Sequence, residues 1–153
     1  MFKILFVCYG NICRSPMAEF VFKKMLVDRN VTGIEVCSRA TSSEELGNPV
    51  YPPAKREMQK HGISCEGKYA QQLLSSDYQK YDLFVIMDEN NARNIKRIFP
   101  SDSEGKIKKL MEYTQRGGNV VDPWYSGDFA TCYRDIYDGC TALLESLASN
   151  NLI

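Results

Sequence analysis

Ile4-Leu5-Phe6-Val7-Cys8-Tyr9-Gly10-Asn11-Ile12-Cys13-Arg14-Ser15-Pro16 is the stretch from which the architecture can be read. An apolar run leads into a tight loop, and apolar residues at helical spacing follow from Met17. The pattern is strand, loop, helix. Such a loop can turn consecutive backbone N–H groups towards an anion, and the helix N-terminus adds the positive end of its dipole. Gly10 brings backbone freedom and Asn11 tolerates the left-handed region. Ser15 is suited to cap the helix and Pro16 to begin it. The backbone from Tyr9 through Gly10, Asn11, Ile12 and Cys13 to Ser15 is therefore the expected phosphate cradle. Arg14 closes the loop and can hold two oxygens of a phosphate at once. Cys8 ends the strand beneath it. A cysteine beside an arginine and a helix N-terminus falls from the ordinary value of about 8.5 to roughly 3.5–7.5, which makes it a thiolate at neutral pH. A thiolate under a bound phosphate is a nucleophile aimed at phosphorus. Packing alone also places cysteines at the ends of buried strands, but it does not explain the arginine and the loop around this one.

Outward from this stretch, strands alternate with helices. Phe2 to Cys8 reads as a strand buried on both faces. Pro16 to about Arg29 reads as a helix with Met17, Val21, Phe22, Met25 and Leu26 inward. Ile34–Cys37 is a short second strand, and Thr41 to Pro53 is loop. Pro53 to Lys60 is a helix stopped at His61-Gly62, and Ala70 to Tyr81 holds one or two helical turns. Leu83–Met87 is a central strand, and Asp88 caps a helix reaching about Ile98. Ile107–Met111 is a weaker fourth strand whose lysines suit a sheet edge. The last helix runs from Asp128 to about Ala148, with Tyr133, Ile136, Tyr137, Cys140, Leu143, Leu144 and Leu147 inward. The expected fold is α/β: a doubly wound, mostly parallel four-stranded sheet, helices on both faces, one domain over residues 1–153. Ligands of such sheets sit beyond the carboxyl ends of the strands, at the switch point. The Cys8 loop, Ser38 and Asp88 follow strand ends and should crowd one rim.

The 153 residues balance 19 basic against 19 acidic side chains. That leaves no footprint for nucleic acid and no polybasic patch for a membrane. No apolar run approaches a membrane span, and the N-terminal run is too short for a signal peptide. A cytoplasmic protein with reduced thiols is expected, and a monomer. Cys37 and Cys65 read as fillers of space. The lone histidine, His61, suits a helix C-terminus. No His, Cys and Asp spacing suggests a metal, and no cofactor is expected.

Asp122 is the candidate general acid, since an oxygen leaving phosphorus needs a proton. Pro123 holds Asp122 extended, so its carboxyl should project from a loop. Trp124 and Tyr125 would bury that carboxyl, favour its protonated form and stack on an aryl ring. Asp-Pro is also a common turn signal.

These residues together resemble the low-molecular-weight protein tyrosine phosphatase family. Cys8 to Pro16, continued by Met17-Ala18-Glu19, carries its Cys-x5-Arg-Ser-Pro loop. Val36-Cys37-Ser38, His61-Gly62-Ile63, Met87-Asp88-Glu89-Asn90-Asn91 and Asp122-Pro123-Trp124-Tyr125 fall in the family's order, so the resemblance spans nearly the whole chain. It implies a flavodoxin-like fold and hydrolysis of phosphotyrosine in proteins through a phosphocysteine on Cys8. Asp122 would serve first as acid and then as the base that activates water. It implies that Ser15 donates to the thiolate, that Asn11 is held by bonds including one to Ser38, and that Asp88 joins the polar network behind the loop. It also supports Cys13 as a redox partner of Cys8, which loop curvature should place near it; the plainer reading of Cys13 is a small residue filling space.

The chain departs from the family's commoner form in three places. Tyr9 follows the nucleophile and would wall the pocket. Ser38-Arg39-Ala40-Thr41 replaces Ser-Ala-Gly-Thr. Gly67 or Lys68 stands where many members have a histidine expected to pair with the aspartate that Asp88 matches. Other functions on the scaffold are a protein-arginine phosphatase, a thiol-dependent arsenate reductase and a non-catalytic phosphate binder. The first carries a loop threonine where this chain has Ile12. The second needs a mobile cysteine pair, which residues 82–99 lack. Retention of Cys8, Arg14 and Asp122 argues against the last.

Overall fold

β1 (Phe2–Cys8) is the spine of the sheet in the computed structural model, which describes residues 1–153. Its side chains alternate between two apolar layers. Ile4 and Phe6 join the larger core, and Leu5 and Val7 the smaller one. All four are fully buried, so the run is apolar without a polar interval. β2 (Ile34–Ala40) and β3 (Leu83–Ile86) flank β1, and β4 (Ile107–Lys109) forms the edge beside β3. Every pairing is parallel, so the sheet is wholly and not mostly parallel.

α1 (Arg14–Asp28), α2 (Pro52–Lys60) and α5 (Phe129–Ser149) cover the larger core, which takes Met17, Phe22, Met58, Ile136 and Leu143 from them. α3 (Glu89–Ile95) and the 3-10 turn at Ser75–Gln79 cover the other face, where Tyr78, Phe84, Ile95 and Phe99 pack ring on ring or against it. The chain leaves β1 towards β2 on one side and returns to β3 on the other. The switch point therefore lies between the carboxyl ends of β1 and β3, where Cys8 and Asp88 stand. No helix is long and apolar enough to cross a membrane.

Three boundaries differ from the sequence reading, as do the inward face of α5 and the segment after Asp122. β2 continues through Ala40 because its pairing with β1 runs on to Cys8, so Ser38 lies within the strand and not past its end. α3 stops at Ile95, and β4 gives way to a 3-10 turn at Leu110–Tyr113. Tyr137 is 47% exposed, and Cys132 and Gly139 take the inward positions of α5. A one-turn helix, α4 (Pro123–Ser126), occupies the expected loop after Asp122.

Gly139 is where α5 meets that 3-10 turn. A Cβ there would lie 2.5 Å from Cγ of Leu110, which is fully buried. Gly139→Ala is therefore expected to destabilise the fold by about 1–3 kcal/mol through overpacking. That outweighs the roughly 1 kcal/mol that alanine gains in helix propensity. Urea unfolding checks this; an unchanged or higher midpoint would mean that Leu110 moves aside freely.

Candidate active site

The loop after β1 bends at Asn11, whose φ is +59°. Gly10 is not the left-handed residue. Its missing side chain matters for another reason, since a Cβ there would come within 3.3 Å of Cγ of Glu45. α1 begins at Arg14 with Cys13 in the capping position and no side-chain cap. The expected Ser15 cap is thus corrected. Ser15 lies inside the first turn with its Oγ 3.0 Å from Cys8 Sγ, and Pro16 follows where helix N–H groups have no partner to lose. The backbone N–H of Asn11 also donates to Cys8 Sγ, at 3.3 Å. The N–H groups of Gly10, Ile12, Cys13, Arg14 and Ser15 have no backbone acceptor, which leaves the concave side of the loop lined with donors.

The Asn11 amide fixes the direction of a hydrogen-bond chain. Its Oδ1 accepts from the Gln71 backbone N–H at 3.1 Å, so its Nδ2 faces the other way. Nδ2 donates to Ser15 Oγ at 2.7 Å and to Ser38 Oγ at 2.9 Å. Ser38 passes its own proton to Glu19 Oε1 at 2.6 Å. With Ser15 Oγ already accepting from Asn11, its proton is free to point at Cys8. Asn11, Ser15, Ser38 and Glu19 are all buried.

Arg14 is 4% exposed and sits between two carboxylates. Its Nη1 donates to Asp88 Oδ2 at 2.8 Å and to the Val120 carbonyl at 3.1 Å. Its Nη2 donates to Asp122 Oδ2 at 3.4 Å. Nε and the second N–H of Nη2, on one edge of the guanidinium, have no acceptor in the protein. Burial works against the charge of Arg14, but Cys8, Asp88 and Asp122 outweigh it and raise its pKa. Asp88 fills both roles read for it, because its Oδ1 caps α3 by accepting from Asn91 N at 2.8 Å.

Asp122 has an extended backbone, as Pro123 requires, and its Oδ1 accepts from Trp124 N at 3.1 Å as the cap of α4. Trp124 is 55% exposed and Tyr125 86%, so the two rings do not bury it as expected. α4 stops after a single turn at left-handed Gly127, and only Trp124 finds a ring to lean on, that of Tyr51, with centroids 5.0 Å apart. Both aromatics line the mouth of a cleft of about 380 Å³ whose lining also includes Cys8, Tyr9, Ile12, Cys13, Arg14 and Asp122. The expected residues Cys8, Tyr9, Gly10, Ile12, Cys13, Arg14 and Asp122 therefore line one cleft, while Asn11 and Ser15 are buried against Cys8 Sγ and do not line it. All six cysteines are free. Burial, and then the charge of Cys8, push the Cys13 thiol up to about 12.

The contacts made by Glu19, Lys68, Gln71 and Val120 escaped the sequence reading. Lys68 Nζ lies 3.4 Å from Glu19 Oε1 and donates to the Ser38 carbonyl at 3.0 Å. Lys68, which stands near the position of the family's commoner histidine, thus serves Glu19. Arg39 Nη1 donates to the same carbonyl at 2.8 Å, so two of the chain's departures meet at one oxygen. Glu19 could have been suspected as a carboxylate on the inward side of α1, but Gln71 and Val120 act through backbone atoms, for which a sequence carries no signal.

The comparisons with known proteins agree with this geometry. The profile of the low molecular weight phosphotyrosine protein phosphatase family matches residues 3–152. The chain is 34% identical over 151 residues to the low molecular weight protein-tyrosine-phosphatase PtpA of Staphylococcus haemolyticus, covering 98% of this chain and 96% of that one. It is 36% identical, with the same coverage, to PtpA of Staphylococcus aureus. Among solved structures, YfkJ from Bacillus subtilis superposes with a TM-score of 0.94 at 32% identity, over 98% of this chain and 96% of that one. The low molecular weight protein tyrosine phosphatase SP-PTP from Streptococcus pyogenes does so at 0.86 and 36%, over 96% and 93%. With the fold, the loop and the sequence in agreement over nearly its full length, the chain belongs to the low molecular weight phosphotyrosine protein phosphatase family.

Proposed function

We propose that this chain, acting as one domain in the cytoplasm, hydrolyses phosphotyrosine in protein substrates in two steps. The observation that carries the reading is the position of Cys8 Sγ. It receives the Asn11 N–H and lies beside the Ser15 hydroxyl, on the floor of a cleft that Arg14 and Asp122 also line. In the first step the Cys8 thiolate attacks phosphorus, and Asp122 gives a proton to the leaving phenolic oxygen. In the second, Asp122 takes a proton from water, which attacks the phosphocysteine and releases phosphate and the thiolate. The loop N–H groups and the free edge of Arg14 hold the equatorial oxygens through both steps. The Ser15 proton eases the departure of the sulfur. Ser38 and Asp88 support, respectively, Asn11 and Arg14.

The relatives named as protein-tyrosine-phosphatases support the aryl substrate. So does the cleft, because a tyrosine ring is long enough to bring its phosphate past Tyr9, Trp124 and Tyr125 to Cys8. Ile12 lines the cleft without a hydroxyl for a phosphoguanidinium. Cys132 and Cys140 are fully buried in α5, which does not suit the mobile cysteine pair of an arsenate reductase. Wild type is expected to turn over phosphotyrosine well ahead of phosphoserine, phosphoarginine and arsenate, and Cys8→Ser none of them. Steady-state turnover by purified Cys8→Ser would remove Cys8 as nucleophile.

Asp122→Asn keeps the shape of the α4 cap and removes the acid. The variant is expected to lose about 10²–10⁴-fold in rate on phenyl phosphate, the range for general acid catalysis. Its loss should be smaller on aryl esters whose leaving groups need no proton. An equal loss across leaving groups would assign Asp122 to orienting Arg14 alone.

The same thiolate is the form that peroxide oxidises to a sulfenic acid. We propose that Cys13 then attacks the Cys8 sulfur and displaces hydroxide, giving a disulfide that thiols reverse. Cys13 must first lose its proton, and burial holds its thiol above the ordinary thiol range. Its thiolate fraction, and with it the closure rate, should therefore rise about tenfold per pH unit between pH 7 and 9. The rate of disulfide formation from pre-oxidised enzyme, followed by mass spectrometry between pH 7 and 9, tests the sign. A flat profile, or full dithiothreitol recovery of Cys13→Ser after peroxide, would leave Cys13 as packing only.

A further inference from the structure

We infer that the acidic rim made by Glu44 and Glu45 selects phosphotyrosine that is flanked by lysine or arginine, an inference that rests on the phosphotyrosine reading above. The side chains lining the cleft include four carboxylates, Glu44, Glu45, Asp88 and Asp122, against one guanidinium, that of Arg14. Arg14 is already committed to Asp88 and Asp122. Neither Glu44 nor Glu45 has a lysine, arginine or histidine within ion-pair distance; their side-chain partners are Tyr9 and Asn48.

The two carboxylates are fixed at the lip. Glu44 Oε1 accepts from Tyr9 Oη at 2.7 Å, and that bond, ahead of burial, raises the Tyr9 pKa. Glu45 Oε2 accepts from Asn48 Nδ2 at 2.7 Å, and its Cγ lies where a Cβ on Gly10 would stand 3.3 Å away. Their charges are thus held over the cradle by neutral partners. The wall of the same cleft includes Asn91, fully buried, whose Oδ1 is taken by Met87 N and whose Nδ2 has no acceptor in the protein. That nitrogen is a buried donor left without a partner on the cleft wall.

The cradle itself attracts phosphate through backbone N–H groups and the α1 dipole at short range. Further out, the unneutralised rim repels the negative charge of any phosphopeptide. A cationic residue next to the phosphotyrosine cancels that repulsion, and an acidic one adds to it. Selection of this kind works by penalising the wrong neighbour as much as by rewarding the right one.

The test uses three phosphotyrosine peptides that differ only in the residues flanking the phosphotyrosine, which are lysine, alanine or glutamate. Phenyl phosphate, which has no flanks, is the reference. Glu44→Gln/Glu45→Gln removes charge while a glutamine oxygen can still accept from Tyr9 and Asn48. In wild type at low ionic strength, kcat/KM should fall in the order lysine, alanine, glutamate, with about tenfold between the extremes for two exposed charges. High salt should flatten the order, since the Debye length falls to about 3 Å at 1 M. The double variant should bring the lysine-to-glutamate ratio close to one, chiefly by improving the glutamate peptide. Equal kcat/KM on the lysine and glutamate peptides in wild type would overturn the inference, as would a ratio that survives in the double variant. Hydrolysis of phenyl phosphate with no turnover of any phosphotyrosine peptide would instead overturn the substrate reading.

Discussion

The side-chain amide of Asn11 is the constraint on which the site depends. A non-glycine residue in the left-handed region costs roughly 1–2 kcal/mol relative to ordinary backbone, least for asparagine. Here the amide offsets that cost by spending every one of its strong bonds on the fold. Its oxygen takes the Gln71 N–H and its nitrogen serves Ser15 and Ser38. Without this bend the Asn11 N–H would not reach Cys8 Sγ, and the loop N–H groups would not converge. The same amide decides that Ser15 is a donor and not an acceptor towards the sulfur. Backbone shape, the direction of the Ser15 proton and the placing of the Cys8 sulfur are thus set by one residue.

The sheet makes that bend affordable in space. β1 is buried on both faces, so its carboxyl end cannot drift, and Cys8 stays in register with Ala40. β3 brings Asp88 beside Arg14 from the other side of the switch point, and the approach to α4 brings Val120 and Asp122. Arg14 is therefore gripped by segments 74 to 108 residues away in sequence. A guanidinium fixed on one edge in this way keeps its other edge preorganised for phosphate, which is how a buried arginine contributes most to stabilising developing charge.

What could be read from the sequence follows this division. The unbroken apolar run before Cys8 implied a central strand, and the spacing of Cys8, Arg14, Ser15 and Pro16 implied the loop and helix. Both signals are local. The end of β2 was missed because Ser38-Arg39-Ala40 looks polar, while its pairing with β1 is a tertiary fact. α4 was missed because a single turn has no periodicity to detect. Ser15 was read as a cap because sequence shows the residue type suited to a helix start and cannot show that the hydroxyl meets the Cys8 sulfur and the Asn11 amide instead. Trp124 and Tyr125 were expected to cover Asp122 by their size, yet α4 is too short to fold both rings inward, and only Trp124 has a neighbour in Tyr51.

The departures at Arg39 and Lys68 were legible as residues and illegible as a pair. Glu19 is 6% exposed and accepts the Ser38 proton, so its negative charge is a fixed part of the chain behind Cys8. A buried carboxylate needs nearby cations, and removal of a partner commonly costs about 3–5 kcal/mol. Lys23 answers one oxygen from the next turn of α1, and Lys68 the other from a segment 49 residues on. Burial lowers the Lys68 pKa, and Glu19 partly restores it. Lys68 and Arg39 both donate to the Ser38 carbonyl, Arg39 from the next residue and Lys68 from 30 residues further on. The support of the loop is therefore electrostatic at its far end and purely hydrogen-bonded at its near end. That order suits the chemistry, because the charges that steady Asn11 stand behind two neutral hydroxyls and do not confront the sulfur directly.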